Sequence, residues 1–415
     1  MTRSILHSDC NNFYASVECN LDPALKEFPL AVCGSVEERH GIVLAKNYKA
    51  KAYDVKTGDA VWQAKQKCPG LVIVPPHYEE YIKYSKLARE IYSRYTNQVE
   101  PYGMDECWLD ITGTEAIFGS AEKVANEIRE TVKFELGITV SIGVSFNKIF
   151  AKLGSDLKKP DAVTMIPQES FQDIVWPLPA VDMLGVGRAT QKVLDSYCIH
   201  TIGDLARAEP ELLHRRLGKN GLALWQWANG MDMSPVILSN FSSPIKSVGH
   251  GITTQKDLEC NDHVWVVFLE LTQDIGHRLR THQKCAAGIA IHIRDNELHT
   301  KQWQMRLAFP TQSAMILARS AFELFKKKYE WEKPIRSVTI QAIQLLPQDT
   351  PIQVNFFCDI KKIEKLEKLD ACVEDIRNRF GKNSIRNAIL CQDNGVPPEH
   401  AAITMPTGML GMGAM

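Results

Sequence analysis

The sequence predicts a multidomain protein of mixed α/β and α+β class. Its 415 residues exceed what one ordinary hydrophobic core organises and are enough for two to four domains. Residues 4–166 alternate short apolar runs with amphipathic stretches, the pattern of strands and helices in turn. After Trp176 the pattern changes to short helices and glycine turns, and a polar, proline-containing linker at 240–245 precedes a second alternation. We therefore expect an α/β region, a helical region and an α+β region, in that order.

Apolar periodicity locates the individual elements. In the first region, strands are predicted at 5–10, 30–33, 71–74 and 139–144, and helices at 78–95 and 120–136. Beyond the linker, strands are predicted at 288–293 and 338–343, helices at 264–280 and 313–328, and a charged amphipathic helix at 361–380.

The helical region contains a candidate phosphate-binding turn. Gly185-Val186-Gly187-Arg188 opens a helix, and the run Thr201-Ile202-Gly203-Asp204-Leu205 follows, so the segment looks like a helix–hairpin–helix module. Backbone amides of such a hairpin can hold a DNA phosphate without reading sequence. We predict that Gly185, Gly187 and Arg188 contact DNA. The alternative is a plain helix–turn–helix connection that uses glycine for its left-handed geometry.

Composition is that of an ordinary soluble globular protein. Hydrophobic residues make up 45% and charged residues 23%, and the formal net charge is −1, which does not by itself indicate a nucleic-acid-binding protein. Basic residues nevertheless cluster at 46–56, 148–159 and 326–328, and such local stripes can bind phosphate. The alternative to phosphate binding is that these basic residues lie on solvent-exposed helix faces, and this alternative is stronger for the cluster at 326–328.

The cysteines and the N-terminus indicate a compartment. Eleven cysteines without a C-x-x-C pair argue against zinc and for a reducing compartment. The N-terminus shows no signal-peptide core, and no apolar run approaches the length of a membrane span. We expect a cytoplasmic protein with no membrane contact.

Three carboxylates indicate a metal site. Asp105 and Glu106 are adjacent in an apolar run that predicts strand–turn–strand, and Asp9 ends the first predicted strand. Burying neighbouring carboxylates is costly unless a cation is present, and hard divalent ions such as Mg²⁺ prefer oxygen ligands. If adjacent strands bring the three acids together, they can hold two metal ions for an in-line phosphoryl displacement. Taken singly, each acid could instead be a solvated turn carboxylate.

Several ordered motifs resemble those of the Y-family DNA polymerases, in particular their polymerase IV-like branch. The motifs occupy residues 9–18, 103–110, 141–152 and 158–160. The resemblance implies a right-hand polymerase architecture. It places the palm at 1–18 and 77–166, the fingers at 19–76, a helix–hairpin–helix thumb at 167–239, a β/α little finger at 246–346, and a C-terminal tail at 347–415.

The same resemblance implies roles for individual residues. Asp9, Asp105, Glu106 and the backbone carbonyl of Cys10 would hold two Mg²⁺ ions, and Asp105 and Glu106 would be catalytic. Phe13 and Tyr14 would form the sugar pocket, with Tyr14 excluding a ribose 2′-hydroxyl, although Phe13 also suits a core position. The triphosphate contacts would be Tyr48, Lys51 and Lys159. The chain departs from the family pattern at Asn11, which cannot supply a further negative charge, at Ala45, which removes a hydroxyl, and at Lys51, where arginine is common.

A short segment near the C-terminus resembles the bacterial sliding-clamp-binding pentapeptide. Gln353, Phe356 and Phe357 would fill a polar and an apolar pocket of the clamp, although short motifs recur by chance.

The resulting functional hypothesis is a monomeric, template-directed DNA polymerase. It would add dNTPs to a primer 3′ end on primer–template DNA with low fidelity, bypass damaged template, and be recruited by the sliding clamp. Two alternatives remain from the sequence: a nucleotidyl cyclase-like palm enzyme, and a non-catalytic DNA-binding scaffold.

Overall fold

The computed structural model describes residues 3–37, 39, 41–241, 243–351, 360–381 and 383–391. These residues divide into two compact units, one formed by 3–34 and 42–243 and the other by 35–41 and 244 onward. Mixed helix and sheet in both units confirms the predicted fold class. No helix in the described part of the chain combines the length and apolarity that crossing a membrane requires.

The first unit contains two sheets and twelve α-helices among its described residues. The strands are β1 (Ile5–Cys10), β2 (Leu30–Cys33), β3 (Val43–Lys46), β4 (Val72–Val74), β5 (Val99–Pro101), β6 (Glu106–Asp110), β7 (Val140–Ser145) and β8 (Val163–Ile166). The helices are α1 (Phe13–Leu21), α2 (Tyr48–Lys51), α3 (Val61–Lys67), α4 (Tyr78–Tyr92), α5 (Glu115–Phe118), α6 (Ala121–Leu136), α7 (Lys148–Leu157), α8 (Phe171–Val175), α9 (Arg188–Asp195), α10 (Ile202–Arg207), α11 (Pro210–Leu217) and α12 (Lys219–Ala228).

The larger sheet has the order β5-β6-β1-β7-β8. Every residue of β1 and β7 is buried, including the polar residues His7, Ser8 and Asp9 of β1. Helix α7 lies very close to this sheet at Gly143. A Cβ on Gly143 would stand 1.9 Å from the Ala151 carbonyl oxygen, so only glycine permits this approach. The first residues of β6 and the last residues of β1 meet at one edge of the sheet.

The smaller sheet has the order β3-β2-β4 and, with α2 and α3, encloses its own hydrophobic cluster. It falls inside the range predicted for the fingers, and the larger sheet falls inside the ranges predicted for the palm. The domain boundaries themselves stay predictions.

Helices α8–α12 follow the last strand of the unit and share a hydrophobic cluster with α7 and β8. The predicted glycine hairpin precedes α9: Gly185 has φ +89°, a conformation that favours glycine, and Gly187 caps the helix N-terminus in an extended conformation.

The second unit is an antiparallel sheet covered by helices. Its elements are β9 (Val248–Leu258), α13 (Asn261–Thr281), β10 (Lys284–Asp295), β11 (Thr300–Thr311), α14 (Ala314–Lys328), β12 (Ile335–Pro347) and α15 (Ile360–Phe380). The strand order is β11-β10-β12-β9. Strands β10 and β12 extend beyond the apolar runs that predicted them, because each pairs with a neighbour on both sides and the backbone ladder continues into polar residues.

Candidate active site

The structure brings the three predicted carboxylates to one edge of the larger sheet. Asp9 of β1 is the register partner of Glu106, the first residue of β6. Asp105 lies in the turn just before β6, and its carbonyl oxygen accepts a hydrogen bond of 2.9 Å from the Cys10 backbone N–H. The pairing of β1 with β6 therefore brings Asp9 close to Asp105 and Glu106, which are almost a hundred positions away in the sequence.

Electrostatics at this edge indicate three interacting carboxylates. Desolvation, opposed by Lys159, raises the pKa of Asp9 to about 6. Desolvation and repulsion from Asp9 and Glu106 raise the pKa of Asp105 to about 7. Glu106 behaves differently: desolvation would raise its pKa, but His7 and Lys152 together hold it at about 2.

Two lysines neutralise two of the three acids. Lys159 Nζ lies 2.7 Å from Asp9 Oδ2 and 2.8 Å from Asp156 Oδ1, and Lys152 Nζ contacts Glu106 Oε2. Desolvation would lower the pKa of Lys159, but the carboxylates of Asp9 and Asp156 raise it above its usual range. Among the residues that the structure describes, no basic side chain forms an ion pair with Asp105.

The donor set fits a hard divalent cation. In the part of the chain that the structure describes, no three His, Cys, Asp or Glu side chains are already arranged as a metal cage. In this state one oxygen of Asp9 and one of Glu106 contact lysines. The unpaired Asp105 carboxylate beside two other acids is the observation that calls for further positive charge.

The predicted sugar-pocket residues have different surroundings. Phe13 is 3% exposed and packs in the hydrophobic core of the larger sheet, which is the alternative role that the sequence predicted for it. Tyr14 is half-buried, with its hydroxyl donating to Met104 Sδ at 3.5 Å. Its ring stacks on Tyr81 with centroids 4.2 Å apart and planes 10° apart. Burial raises the pKa of Tyr14 to about 12, so it is a neutral hydroxyl.

Behind Tyr14, two further residues restrain the stacking partner. The Tyr81 hydroxyl donates to Glu18 Oε1, and His77 Nδ1 lies 3.0 Å from the same carboxylate. Glu18 and Tyr81 were not predicted as functional, and the polar Glu18 inside an otherwise apolar face of α1 was the available signal.

Tyr48 and Lys51 lie together on the short helix α2. Lys51 Nζ is 5.5 Å from the centroid of the Tyr48 ring. Desolvation raises the pKa of Tyr48, with Lys159 and Asp9 close enough to contribute, so α2 faces the carboxylate edge. The structure thus places Tyr48 close to Asp9 and Lys159, and Lys51 beside Tyr48.

Asn11 has a structural role that its sequence position did not predict. Its Oδ1 accepts hydrogen bonds from the Asp161 backbone N–H at 2.9 Å and from Thr139 Oγ1 at 3.0 Å, and its Nδ2 donates to Ser141 Oγ at 2.9 Å. The amide therefore fastens the segment after Lys159 to the sheet and is not aimed at the carboxylates.

One basic residue of the predicted phosphate-binding stripe is wrongly assigned. Lys148 is 9% exposed, and its Nζ lies 2.7 Å from both carboxylate oxygens of Glu100. It also lies 4.4 Å from the centroid of the Trp108 ring. Because Lys148 is buried and both carboxylate oxygens of Glu100 neutralise its charge, it supports the fold and does not reach a DNA phosphate.

The remaining predicted residues lie away from the carboxylates or outside the described residues. Gly187 and Arg188 are exposed at the start of α9, where a Cβ on Gly187 would meet nothing within 4 Å, so the backbone there is accessible to a phosphate. The segment with Gln353, Phe356 and Phe357 lies outside the described residues.

Comparison with known proteins agrees with this geometry. Residues 8–156 match the impB/mucB/samB family, and residues 245–356 match the impB/mucB/samB family C-terminal domain. The chain is 50% identical to the DNA polymerase IV of Acetivibrio thermocellus over 396 residues, 95% of this chain and 99% of that protein. It is 36% identical to DNA polymerase IV 1 of Bacillus subtilis over 386 residues, 93% and 92% of the two chains. In fold, it resembles a solved Y-family DNA polymerase chimera with a TM-score of 0.73 and 23% identity, covering 83% of this chain and 99% of that one.

Proposed function

Because the chain belongs to the Y-family DNA polymerases of the impB/mucB/samB type, we propose that Asp9, Asp105 and Glu106 bind the two Mg²⁺ ions of a nucleotidyl transfer reaction. The protein is a template-directed translesion DNA polymerase, which excludes the cyclase and the non-catalytic scaffold as alternatives. The observation that carries the metal proposal is the Asp105 carboxylate, which is repelled by Asp9 and Glu106 and has no ion-pair partner among the described residues. Bound metal ions would neutralise the triphosphate and activate the primer hydroxyl.

The side chains of the chain supply binding and orientation. Asp9, Asp105, Glu106 and the Cys10 carbonyl offer the oxygen ligands at the edge of the sheet. Lys159, already charged beside Asp9, would bind a phosphate oxygen, because an ammonium group of raised pKa remains cationic at every working pH.

The fingers side would grip the triphosphate through Tyr48 and Lys51. A lysine offers a point charge and cannot form the bidentate contact of arginine. Lys51 would therefore contribute affinity for the triphosphate more than geometric precision.

Primer extension tests the metal proposal directly. With purified full-length protein, primer–template DNA and dNTPs, extension should require added Mg²⁺ and stop when the ion is chelated. Extension that persists at full rate in excess chelator would contradict the proposal, while leaving membership of the polymerase family unaffected.

We also propose recruitment by the sliding clamp through Gln353, Phe356 and Phe357, on their resemblance to the clamp-binding pentapeptide. An extended peptide of this kind docks two rigid aromatic rings in a preformed pocket. We further expect a monomeric enzyme that works in the cytoplasm, where bacterial DNA is replicated.

Replacing Phe356 and Phe357 with alanine should weaken clamp binding at least about thirty-fold, since buried aromatic anchors contribute on the order of 2 kcal/mol or more. Titration with purified clamp measures this, and extension of a short primer without clamp should not change. The matched control is Phe380→Ala, which truncates an aromatic side chain 73% exposed in the same part of the chain. Equal clamp affinity for the double variant and the control would contradict recruitment through this segment.

A further inference from the structure

We propose that His7 is a positioning residue that fixes the Glu106 carboxylate for metal binding. The inference rests on the proposed role of Glu106, because His7 itself does not face substrate or solvent: it is fully buried in β1. Its side chain lies on the same face of the sheet as Asp9, two residues along the strand, and diagonal to Glu106 across the β1–β6 pair.

The imidazole ring is restrained on several sides. Its register partner on β6 is Trp108, and the two rings meet edge to face at 5.2 Å with an interplanar angle of 61°. Its register partner on β7 is Gly143, whose missing side chain lets α7 come close enough to supply Ser155. His7 Nδ1 lies 2.8 Å from Ser155 Oγ, and Ser155 is fully buried.

The hydrogen-bonding partners assign the ring proton. His7 Nε2 lies 3.2 Å from Glu106 Oε2. Because the ionised carboxylate can only accept a hydrogen bond, we place the proton of the neutral ring on Nε2. Nδ1 then accepts from the Ser155 hydroxyl, which can instead donate to the Lys152 backbone carbonyl oxygen 2.7 Å away. Ser155 contacts Nδ1 whichever way its hydroxyl turns, so it holds the imidazole in place, and the Glu106 carboxylate selects the tautomer.

His7 Nε2 and Glu106 Oε2 are close together, but their geometry is unfavourable for a hydrogen bond. Nε2 is buried, and within the described residues no acceptor is aligned well enough to complete a hydrogen bond with it. Leaving a buried N–H without a full partner costs free energy, and a phenylalanine would fill the same space without that cost. Core packing alone therefore does not explain a histidine here, whereas orientation of Glu106 does.

Lys152 and His7 act on the same oxygen from different sides. Lys152 Nζ and His7 Nε2 both approach Glu106 Oε2, which leaves Oε1 for another partner. Groups that hold a metal-binding carboxylate in this way typically change metal affinity or activity by about 10–100-fold when they are removed.

The test measures metal binding without turnover. Full-length protein, a primer lacking its 3′-hydroxyl, template and dNTP form a complex that cannot react, and Mn²⁺ binding is titrated by electron paramagnetic resonance. His7→Phe, which keeps an aromatic ring against Trp108 but removes both nitrogens, should raise the half-saturating Mn²⁺ concentration about ten-fold. His7→Gln, which retains an N–H at similar reach, should restore it to within about three-fold of the parent.

The remaining outcomes decide the inference. Mn²⁺ binding by His7→Phe within two-fold of the parent overturns it. If His7→Phe does not fold, Ser155→Ala replaces it: the variant keeps the imidazole but loses the hydroxyl that holds Nδ1 in place, and should weaken Mn²⁺ binding about three-fold or more. Unchanged binding by that variant overturns the inference. Glu106→Gln tests the underlying proposal separately, since normal Mn²⁺ binding there would remove Glu106 from the metal site whatever His7 does.

Discussion

Replacing Asp105 or Glu106 with alanine is expected to lower the rate of nucleotide incorporation by about 10³-fold or more, because losing several kcal/mol of transition-state charge stabilisation has that effect. Affinity for primer–template DNA should change little, since DNA is held mainly through its phosphates by other residues. Single-turnover incorporation and a DNA titration on the same protein samples measure the two quantities. Near-parental incorporation by both variants would contradict the metal assignment.

The two variants should differ in stability, which separates loss of chemistry from loss of fold. The folded-state pKa of Asp105 is raised from its usual value to about 7, so ionising it costs stability as pH rises through that range. Asp105→Ala should therefore be at least as stable as the parent at pH 8.

The pKa shift of Glu106 is opposite in sign to that of Asp105, and so is its effect on stability. Its folded-state pKa is lowered to about 2, so it contributes stability above its usual value of 4.5 and loses that contribution as pH falls through 2. Glu106→Ala should be less stable than the parent at neutral pH, because Lys152 and His7 lose their shared partner. Thermal unfolding at pH 8 compares the three proteins.

A matched control comes from the same strand. Asp110 ends β6 and is 8% exposed, its Oδ1 accepts a hydrogen bond of 2.9 Å from the Thr112 backbone N–H, and its Oδ2 lies 3.7 Å from Arg3 Nη2. Asp110→Asn should lower stability and leave the incorporation rate per folded molecule unchanged. A loss of rate as large as that of Glu106→Ala would mean that removing any acid from β6 disturbs the site.

Replacing Tyr14 with alanine is expected to raise ribonucleotide use relative to deoxynucleotide use about 10–100-fold. A 2′-hydroxyl forced against a packed ring costs about 1–3 kcal/mol, and removing the ring removes that cost. The ratio of kcat/KM for ribonucleotide and deoxynucleotide is the measurement. An unchanged ratio would show that Tyr14 only packs.

The surroundings of Tyr14 make its ring a firm steric barrier. Tyr81 stacks on one face of the ring, Glu18 accepts the hydrogen bond of the Tyr81 hydroxyl, and His77 contacts Glu18 in turn. Tyr14→Phe keeps the ring and loses only the contact of the hydroxyl with Met104, so its nucleotide ratio should stay near that of the parent. Phe13→Leu, in the core one residue earlier, should lower stability without changing the ratio.

The sequence by itself determined the fold class, many of the strands and helices, and which acidic residues lie at strand ends, although β3, β8, β9 and β11 were not predicted. Runs such as 140–145 and 121–136 carry their periodicity locally, and ordered motifs identify a family before any contact is known. The positions of Asp9, Asp105 and Glu106 at strand ends followed from the same patterns.

Only the tertiary structure decided what each charged or polar side chain does. Lys148 and Lys152 belong to one basic cluster in the sequence, yet one is buried against Glu100 and the other contacts Glu106. His7 reads as an interruption of an apolar strand until α7, admitted by Gly143, brings Ser155 to its other nitrogen. The physical reason is that desolvation and pairing depend on which element covers a residue, and that element can be more than a hundred residues away.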